Sequence, residues 1–409
     1  MKTLSITTLL FIAIISTSCE DWLDDAETSP NTVLSEDLNQ VFLFGIYTED
    51  DGFTAGANLL SIENRAIELF STLYMYAGAM SDEFGAPESP NALIYSELTS
   101  DQLNISDGSL RGIWEDTYSF LAIIDEMKAN ADRTDWGTGA DTEIIRRRTF
   151  WAIHFYRSLA LFNIAAYFNG NTTNTSPFVY IDGEQTTNDQ VYQLAFTEGE
   201  LSLDFADGYQ ERLTNTLLTR IAVISGNSQE AATYASNMLT IDDPWLEVSH
   251  EVSSNVFFNA VGPGSRDAKV NQSFVDAIAL DAITIRNPTG INDENGELIQ
   301  LRFGQFDNQV ILSSIEAKLL EAELILNGNI GGDFAQTLND VANFFDTSGG
   351  SERTDITTSL DELLEYRRFF LSWQGQRMLD QRRYQVDGQD LIPFTSRNFQ
   401  YIAIDDIEQ

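Results

Sequence analysis

A chain of 409 residues with 43% apolar side chains has material for one large buried core or two small ones. Its 63 acids stand against 23 bases, a net charge of −40, and so few clustered cations exclude a phosphate backbone as partner, so no nucleic acid is expected. The only lysines are Lys2, Lys128, Lys269 and Lys318, the other bases being arginines, and a surface this acidic suits a saline setting in which salt screens its self-repulsion.

In chain order, the first element is a leader. Lys2 is followed by the apolar run Leu9 to Ile15 and the small residues Ser16-Thr-Ser before Cys19. That run is far short of the roughly 20 residues that span a bilayer, so residues 1–18 are expected to be a signal peptide. Cys19 is the single cysteine and forms no intrachain disulfide. The triplet ending on it resembles a bacterial lipobox, which makes Cys19 the lipidated first residue of the mature protein and makes lipid the expected means of membrane attachment. Residues 19–37, beginning Glu20-Asp-Trp-Leu-Asp-Asp25, read as a solvated tether, and 38–409 as one body.

The body is expected to be mainly α: helical pairs at about 38–81, 109–241 and 309–383, with loop-rich regions carrying a few short strands at about 82–108 and 242–308. Helical spacing runs through Leu59, Ile62, Ala66, Leu69, Leu73 and Tyr76, and again through 110–128. Ile144, Trp151, Phe155, Leu159, Phe162 and Ala166 share one helix face, stopped at Asn169-Gly170. Residues 214–226 and 229–240 form an antiparallel pair turning at Asn227-Ser228, with Ala222, Ala231, Ala232 and Ala235 small enough for close approach. Residues 313–327 and 333–345 form another, carrying Ile315, Leu319, Ala322 and Leu326 and turning through Gly328 to Gly332. Repeated helix pairs of this kind suggest a degenerate tetratricopeptide-like stack. The two loop-rich regions hold Phe84-Gly-Ala-Pro87, Pro90, Pro244, Gly262-Pro-Gly264 and Pro288, with alternating runs at Ile283 to Ile285 and Leu298 to Leu301. Long loops rich in aromatics are the expected binding surface.

Familiar catalytic constellations are missing. His154 and His250 are the only histidines, no Gly-x-Ser-x-Gly elbow accompanies either, and His154 beside an apolar helix face reads as a packed, hydrogen-bonded residue. Two carboxylates at glycosidase separation could hide among so many acids, but an Asp or Glu in this chain is ordinarily solvated surface. Asp293-Glu-Asn-Gly296 fails as a calcium loop, because placing Gly296 at its sixth position puts Ile291 first and Arg302 twelfth. Asn295-Gly296 is better read as a hairpin turn. No cofactor is expected; the acidic surface leaves room for weakly bound calcium without assigning it a residue.

Near the C-terminus the stretch "RRFFLSWQGQRMLDQRRY" concentrates arginines beside aromatics and acids. Together with the lipobox and "EDWLDD", "MYAGAMSDEF" (75–84), "LRGIWEDTYSFLAIIDEM" (110–127), "RRRTFWAIHFYRSLALFNIAAYFNG" (146–170), "IEAKLLEAELIL" (315–326) and the "LIPF" tail, it resembles the SusD/RagB-like nutrient-binding outer-membrane lipoproteins. The motifs occur in the family order along the whole chain. Phe370 and Gln374 depart from it, standing where the family commonly carries Glu. Bidentate pairing would let Arg367, Arg368, Arg377, Arg382 and Arg383 pack inside the fold; the rival reading has them grip an anionic ligand.

The resemblance implies a surface lipoprotein of the outer membrane that captures oligosaccharides or other large nutrients, without chemistry, and passes them to a SusC-like TonB-dependent transporter. Sugars stack on aromatic faces and bond to planar polar groups, so Tyr95, Trp245, Phe257, Phe258, Phe303 and Phe306 are the candidate platforms and Asp82, Asn91 and Arg302 the candidate polar contacts. Each of these rings taken singly also reads as a core aromatic, while Trp114, Trp151 and Trp373 sit on periodic helix faces and are assigned to the core. Two other classes compete: a tetratricopeptide-type adaptor binding a protein or peptide, and a surface enzyme using unrecognised carboxylates.

Overall fold

Ala66, Leu69, Leu73 and Tyr76 are all buried, the last three on helix α1 (69–80), as their spacing requires. The computed structural model describes the chain from residue 66 to 403, apart from 67–68, 86–92, 105–107, 135, 137, 171–173, 249–254, 262–267, 272–290, 295–296, 301–304, 306, 346–352 and 388–393. The described residues belong to the unit Leu59–Gln409. The expected leader, Cys19 and tether lie outside them.

The expected loop over 82–108 contains a helix, α2 (Leu93–Ser100), which buries Ile94, Tyr95 and Leu98 on one side. Flanking prolines obscured that short apolar face. Helices α3 (Gly108–Arg133) and α4 (Ala140–Tyr167) then pack against each other. From Phe150 to its end α4 is buried all round except at Arg157, which makes it the central helix, with α3 and α5 (Asn188–Leu203) against it. Its predicted face begins wrongly: Ile144 is 65% exposed, because the first turns, with Glu143 and the arginines at 146–148, stay in solvent. At the other end α4 stops at Tyr167, and Gly170 lies where a Cβ would come 2.8 Å from the Phe178 ring, so only glycine fits the close approach.

The stack continues through sequential neighbours. A capping box between Thr187 and Gln190 starts α5, of a kind that stabilises a helix by about 1 kcal/mol. Helices α6 (Gly208–Ile224) and α7 (Ser228–Tyr234) form the predicted pair, turning at Gly226 with φ 85°, with Ala222 and Ala231 buried completely. The second member ends earlier than expected, passing into a single 3-10 turn at Ala235–Asn237. After the five-residue α8 (Val256–Ala260), the pair α9 (Ser314–Leu326) and α10 (Phe334–Phe345) matches its predicted bounds within a residue. Ser313 caps α9 through the Glu316 N–H, and Gly328, φ 70°, ends the helix. Helices α11 (Leu360–Phe370) and α12 (Gln376–Tyr384) close the scaffold, α11 packing on α9. The mainly α, helix-pair architecture is thus the observed one.

The strands are β1 (Phe84–Gly85), β2 (Phe168–Asn169), β3 (Phe178–Ile181), β4 (Glu184–Thr187), β5 (Leu246–Val248), β6 (Lys269–Val270), β7 (Ile291–Glu294), β8 (Glu297–Gln300), β9 (Gln309–Leu312) and β10 (Ile402–Ala403). Among the described residues they pair two by two: β1 with β6, β2 with β10 in parallel, β3 with β4, β5 with β9, and β7 with β8. The register Glu294↔Glu297 makes β7 and β8 the antiparallel arms of the expected hairpin; the expected turn residues Asn295-Gly296 lie outside the described residues. The pairs β1–β6 and β5–β9 tie the second loop-rich region to the scaffold.

Candidate functional site

The arginine-rich segment is built into the interior. Arg377 is bidentate to Asp82, Nε to Oδ1 at 2.5 Å and Nη2 to Oδ2 at 2.9 Å, and Arg368 reaches the same carboxylate at 3.0 Å. Burial alone would raise the Asp82 pKa; the two guanidinium groups overcome it and hold it below the usual carboxylate range. Arg367 bonds Asp380 at 2.8 Å, and Arg383 bonds Glu323, which also accepts from the Tyr384 hydroxyl. Arg382 donates to the carbonyls of Ala166 and Gln400, its guanidinium 3.9 Å from the centre of the Tyr401 ring. Elsewhere Arg220 and Glu316, both fully buried, join α6 to α9 through an Nε–Oε1 bond of 2.5 Å. These guanidinium groups are committed to protein partners, which supports the structural reading over the anion-gripping one.

Asp82 is therefore corrected as a sugar contact: it has no exposure, and both its oxygens are taken. Glu83 beside it is also fully buried. Its Oε1 accepts the Trp373 N–H at 2.8 Å, no partner reaches Oε2 among the described residues, and burial pushes its pKa up to about 8. A carboxyl protonated near neutrality could act as a general acid, but Glu83 is closed off from any substrate. His154 is packed as expected, its Nδ1 2.6 Å from Glu198 Oε2 and its ring stacked on Phe205.

Two of the predicted aromatic platforms are core residues. Tyr95 is 8% exposed on α2, edge-on to Tyr76, and Phe257 is completely buried against Phe84. Both lie near predicted loops but on short helices whose apolar sides face inward, which removes them as ligand contacts. Asn91, Arg302, Phe303 and Phe306 lie outside the described residues, as does the Phe258 side chain. Of the tryptophans assigned to the core, Trp151 and Trp373 are buried, whereas Trp114 is only half-buried, packed on Tyr118 and Phe168.

Trp245 is the predicted platform that the described structure leaves accessible. It is half-buried, and its Nε1 donates to Ser314 Oγ at 3.0 Å, which fixes the indole over the start of α9. Its ring lies 5.6 Å from that of Phe344, which is 39% exposed at the end of α10. Beneath them Phe345 stacks on Phe370 at 5.2 Å, and Phe370 belongs to the apolar cluster of Leu319, Leu338 and Phe369. The departure at Phe370 thus supplies the ring that supports this shelf. The turn carrying Trp245 is fixed in its own right: Asp243 accepts from the Thr240 N–H and hydroxyl and is bidentate to Arg212 at 2.8 and 2.5 Å, contacts led by the Arg212 bonds that push its pKa down to about 2. Glu247, two residues beyond the indole, is exposed and accepts from Asn308 Nδ2. Phe344, on an amphipathic helix with no loop signal around it, was missed from sequence; its exposure next to Phe345 is the feature that gives it away.

A groove of about 430 Å³ between α1 and α3 has hydroxyls and one acid on its walls, from Thr72, Ser109, Asp116 and Ser119. The one ring among its described lining residues, Phe120, is 3% exposed, so those residues offer no face on which a sugar could stack. The Trp245–Phe344 shelf, with a rigid indole, a second ring and polar groups at its rim, is the better candidate for holding an uncharged, hydroxyl-rich ligand.

No family model and no curated protein sequence matches the chain. Solved structures do. The chain superimposes on a SusD superfamily protein from Bacteroides thetaiotaomicron with a TM-score of 0.65 at 16% identity, covering 84% of this chain and 92% of that one. Surface glycan-binding protein A from the same organism gives 0.65 at 15% identity, covering 87% and 96%. A laminarin-binding SusD-like protein gives 0.57 at 15% identity, covering 81% and 91%. The similarity read from the sequence motifs therefore extends to the fold, which is SusD-like over most of the chain.

Proposed function

We propose that this chain, which has the SusD-like fold, is a surface lipoprotein that captures oligosaccharides without chemistry and passes them to a SusC-like TonB-dependent transporter. The observation that carries capture is the Trp245–Phe344 shelf: an indole locked by Ser314 and tilted by 34° against an exposed ring presents apolar faces at low entropic cost, as the apolar faces of pyranose rings require. Solved proteins of this fold include a surface glycan-binding protein and a laminarin-binding protein, which supports the same reading. Lipidation of Cys19 would hold the body at the outer membrane, facing outward, and no described helix is long and apolar enough to cross a membrane. The burial of Glu83 and the commitment of Asp82, Glu316, Glu323 and Asp380 to arginines favour binding over catalysis.

A calorimetric screen of oligosaccharides against the lipid-free protein, with chromatography of each sugar afterwards, tests the reading. Saturable binding that leaves the sugar intact supports capture. Turnover would establish the enzyme, and binding only of peptides or proteins the adaptor. Isolation of the protein with a transporter from native membranes tests the hand-off.

A further inference from the structure

We infer, resting on the capture reading above, that the Trp245–Phe344 shelf selects uncharged glycans and rejects uronates and sulfated sugars, through the carboxylates around it. Asp242 and Asp243 precede the indole and Glu247 follows it, Asp242 and Glu247 both exposed. Asp340 lies one turn before Phe344 on α10, about 6 Å along the helix axis, with its side chain 40% exposed.

Among the described residues, the bases in this neighbourhood are already engaged. Arg212 is bidentate to Asp243. Lys318, one turn beyond Ser314 on α9, donates to Glu321 at 2.7 Å and lies 4.0 Å from Asp340. A site for an anionic sugar needs a guanidinium or ammonium free to replace the water lost from the carboxylate or sulfate. Here each described cation would first have to abandon an acid, while Asp340, about 6 Å along the helix axis from Phe344, lies within a Debye length, about 8 Å at physiological salt, and Asp242 and Glu247 stay exposed three residues before and two after the indole. An uncharged sugar meets neither obstacle: it needs ring faces and hydroxyl partners, which the two aromatics and the amide and carboxylate oxygens of Asn308 and Glu247 provide.

The test titrates the full-length lipid-free protein with a series of neutral oligoglucosides and with oligouronates of matched length, at about 10 mM and about 500 mM NaCl. The expected result is a neutral sugar whose Kd does not move with salt, and oligouronates at least about tenfold weaker at low salt. The double variant Asp242→Lys, Glu247→Lys, at exposed positions, should gain oligouronate binding at low salt while its melting temperature stays near that of the parent. Oligouronate binding as tight as neutral binding at low salt would overturn the selection while leaving capture standing. Failure of every sugar, neutral and charged, would overturn it together with the capture reading on which it rests.

Discussion

The Arg377 guanidinium meets the Asp82 carboxylate side-on through two bonds, 2.5 and 2.9 Å long, joining α12 to the segment that follows α1 across 295 residues of sequence. Asp82 has no exposure, so removing Arg377 leaves a buried carboxylate with only the single Arg368 contact to offset its charge. Arg377→Ala should lower stability by about 3–5 kcal/mol, and Arg377→Lys, which loses the fork, by a substantial part of that. Below its lowered melting temperature the Ala variant should bind sugar as the parent does. Denaturant melts paired with calorimetry check both halves; unchanged stability with lost affinity would return the arginines to the ligand site.

Glu83 sets a pH dependence of the opposite sign to that of Asp82. Its folded pKa of about 8 stands above the unfolded value of 4.5, so between those limits the folded state holds a proton that the unfolded state has lost. Stability from this group is greatest below 4.5, falls as pH rises through the window, and levels off above 8. Asp82, held below 3.8, contributes stability that is present above that value and lost on acidification. Glu83→Gln keeps an oxygen for the Trp373 N–H and removes the titrating proton, so its melting temperature should match the parent near pH 4 and exceed it by a margin that grows through pH 6 and is largest at pH 9. Parallel melting curves for the two proteins at every pH would refute this.

The elbow between α11 and α12 should be intolerant of side chains. Gly375 has φ 73°, and a Cβ there would come 2.7 Å from the Tyr167 hydroxyl and 2.7 Å from the Tyr74 ring. Gly375→Ala is expected to cost about 1–3 kcal/mol, read as a drop in the midpoint of urea unfolding.

Much of this architecture could be read from residue spacing. Helix α9 was legible because its apolar residues recur at helical spacing between the Ser313 cap and the Gly328 stop, α10 because Asp333 opens a second such run, and β7–β8 because Asn-Gly between two apolar runs signals a hairpin. Helix α2 was not, since its short apolar face sits among prolines and loop residues. The fate of the aromatics was legible only in part. Tyr95 and Phe257 stand among loop residues just as Trp245 does, and what separates them is which ring faces Tyr76 or Phe84 and which faces Ser314 and Phe344, contacts made across the fold. Asp82 misled for the same reason: its partners, Arg368 and Arg377, lie nearly three hundred residues away.

The acidic surface predicts a response to salt. With a net charge of −40 and a sequence pI near 4.1, self-repulsion destabilises the folded state until ions screen it. Raising NaCl from about 0.01 to about 1 M shortens the Debye length from roughly 30 to 3 Å, and the melting temperature should climb across that range. A flat or falling curve would remove the inference of a saline setting.

The most direct test of glycan capture is a calorimetric titration of the parent and of Trp245→Ala with the same neutral oligosaccharide, alongside thermal melts of both. Removing the indole should abolish or weaken binding by about 2 kcal/mol or more while the variant stays folded at the temperature of the titration. A folded variant that binds the sugar as tightly as the parent would contradict the account.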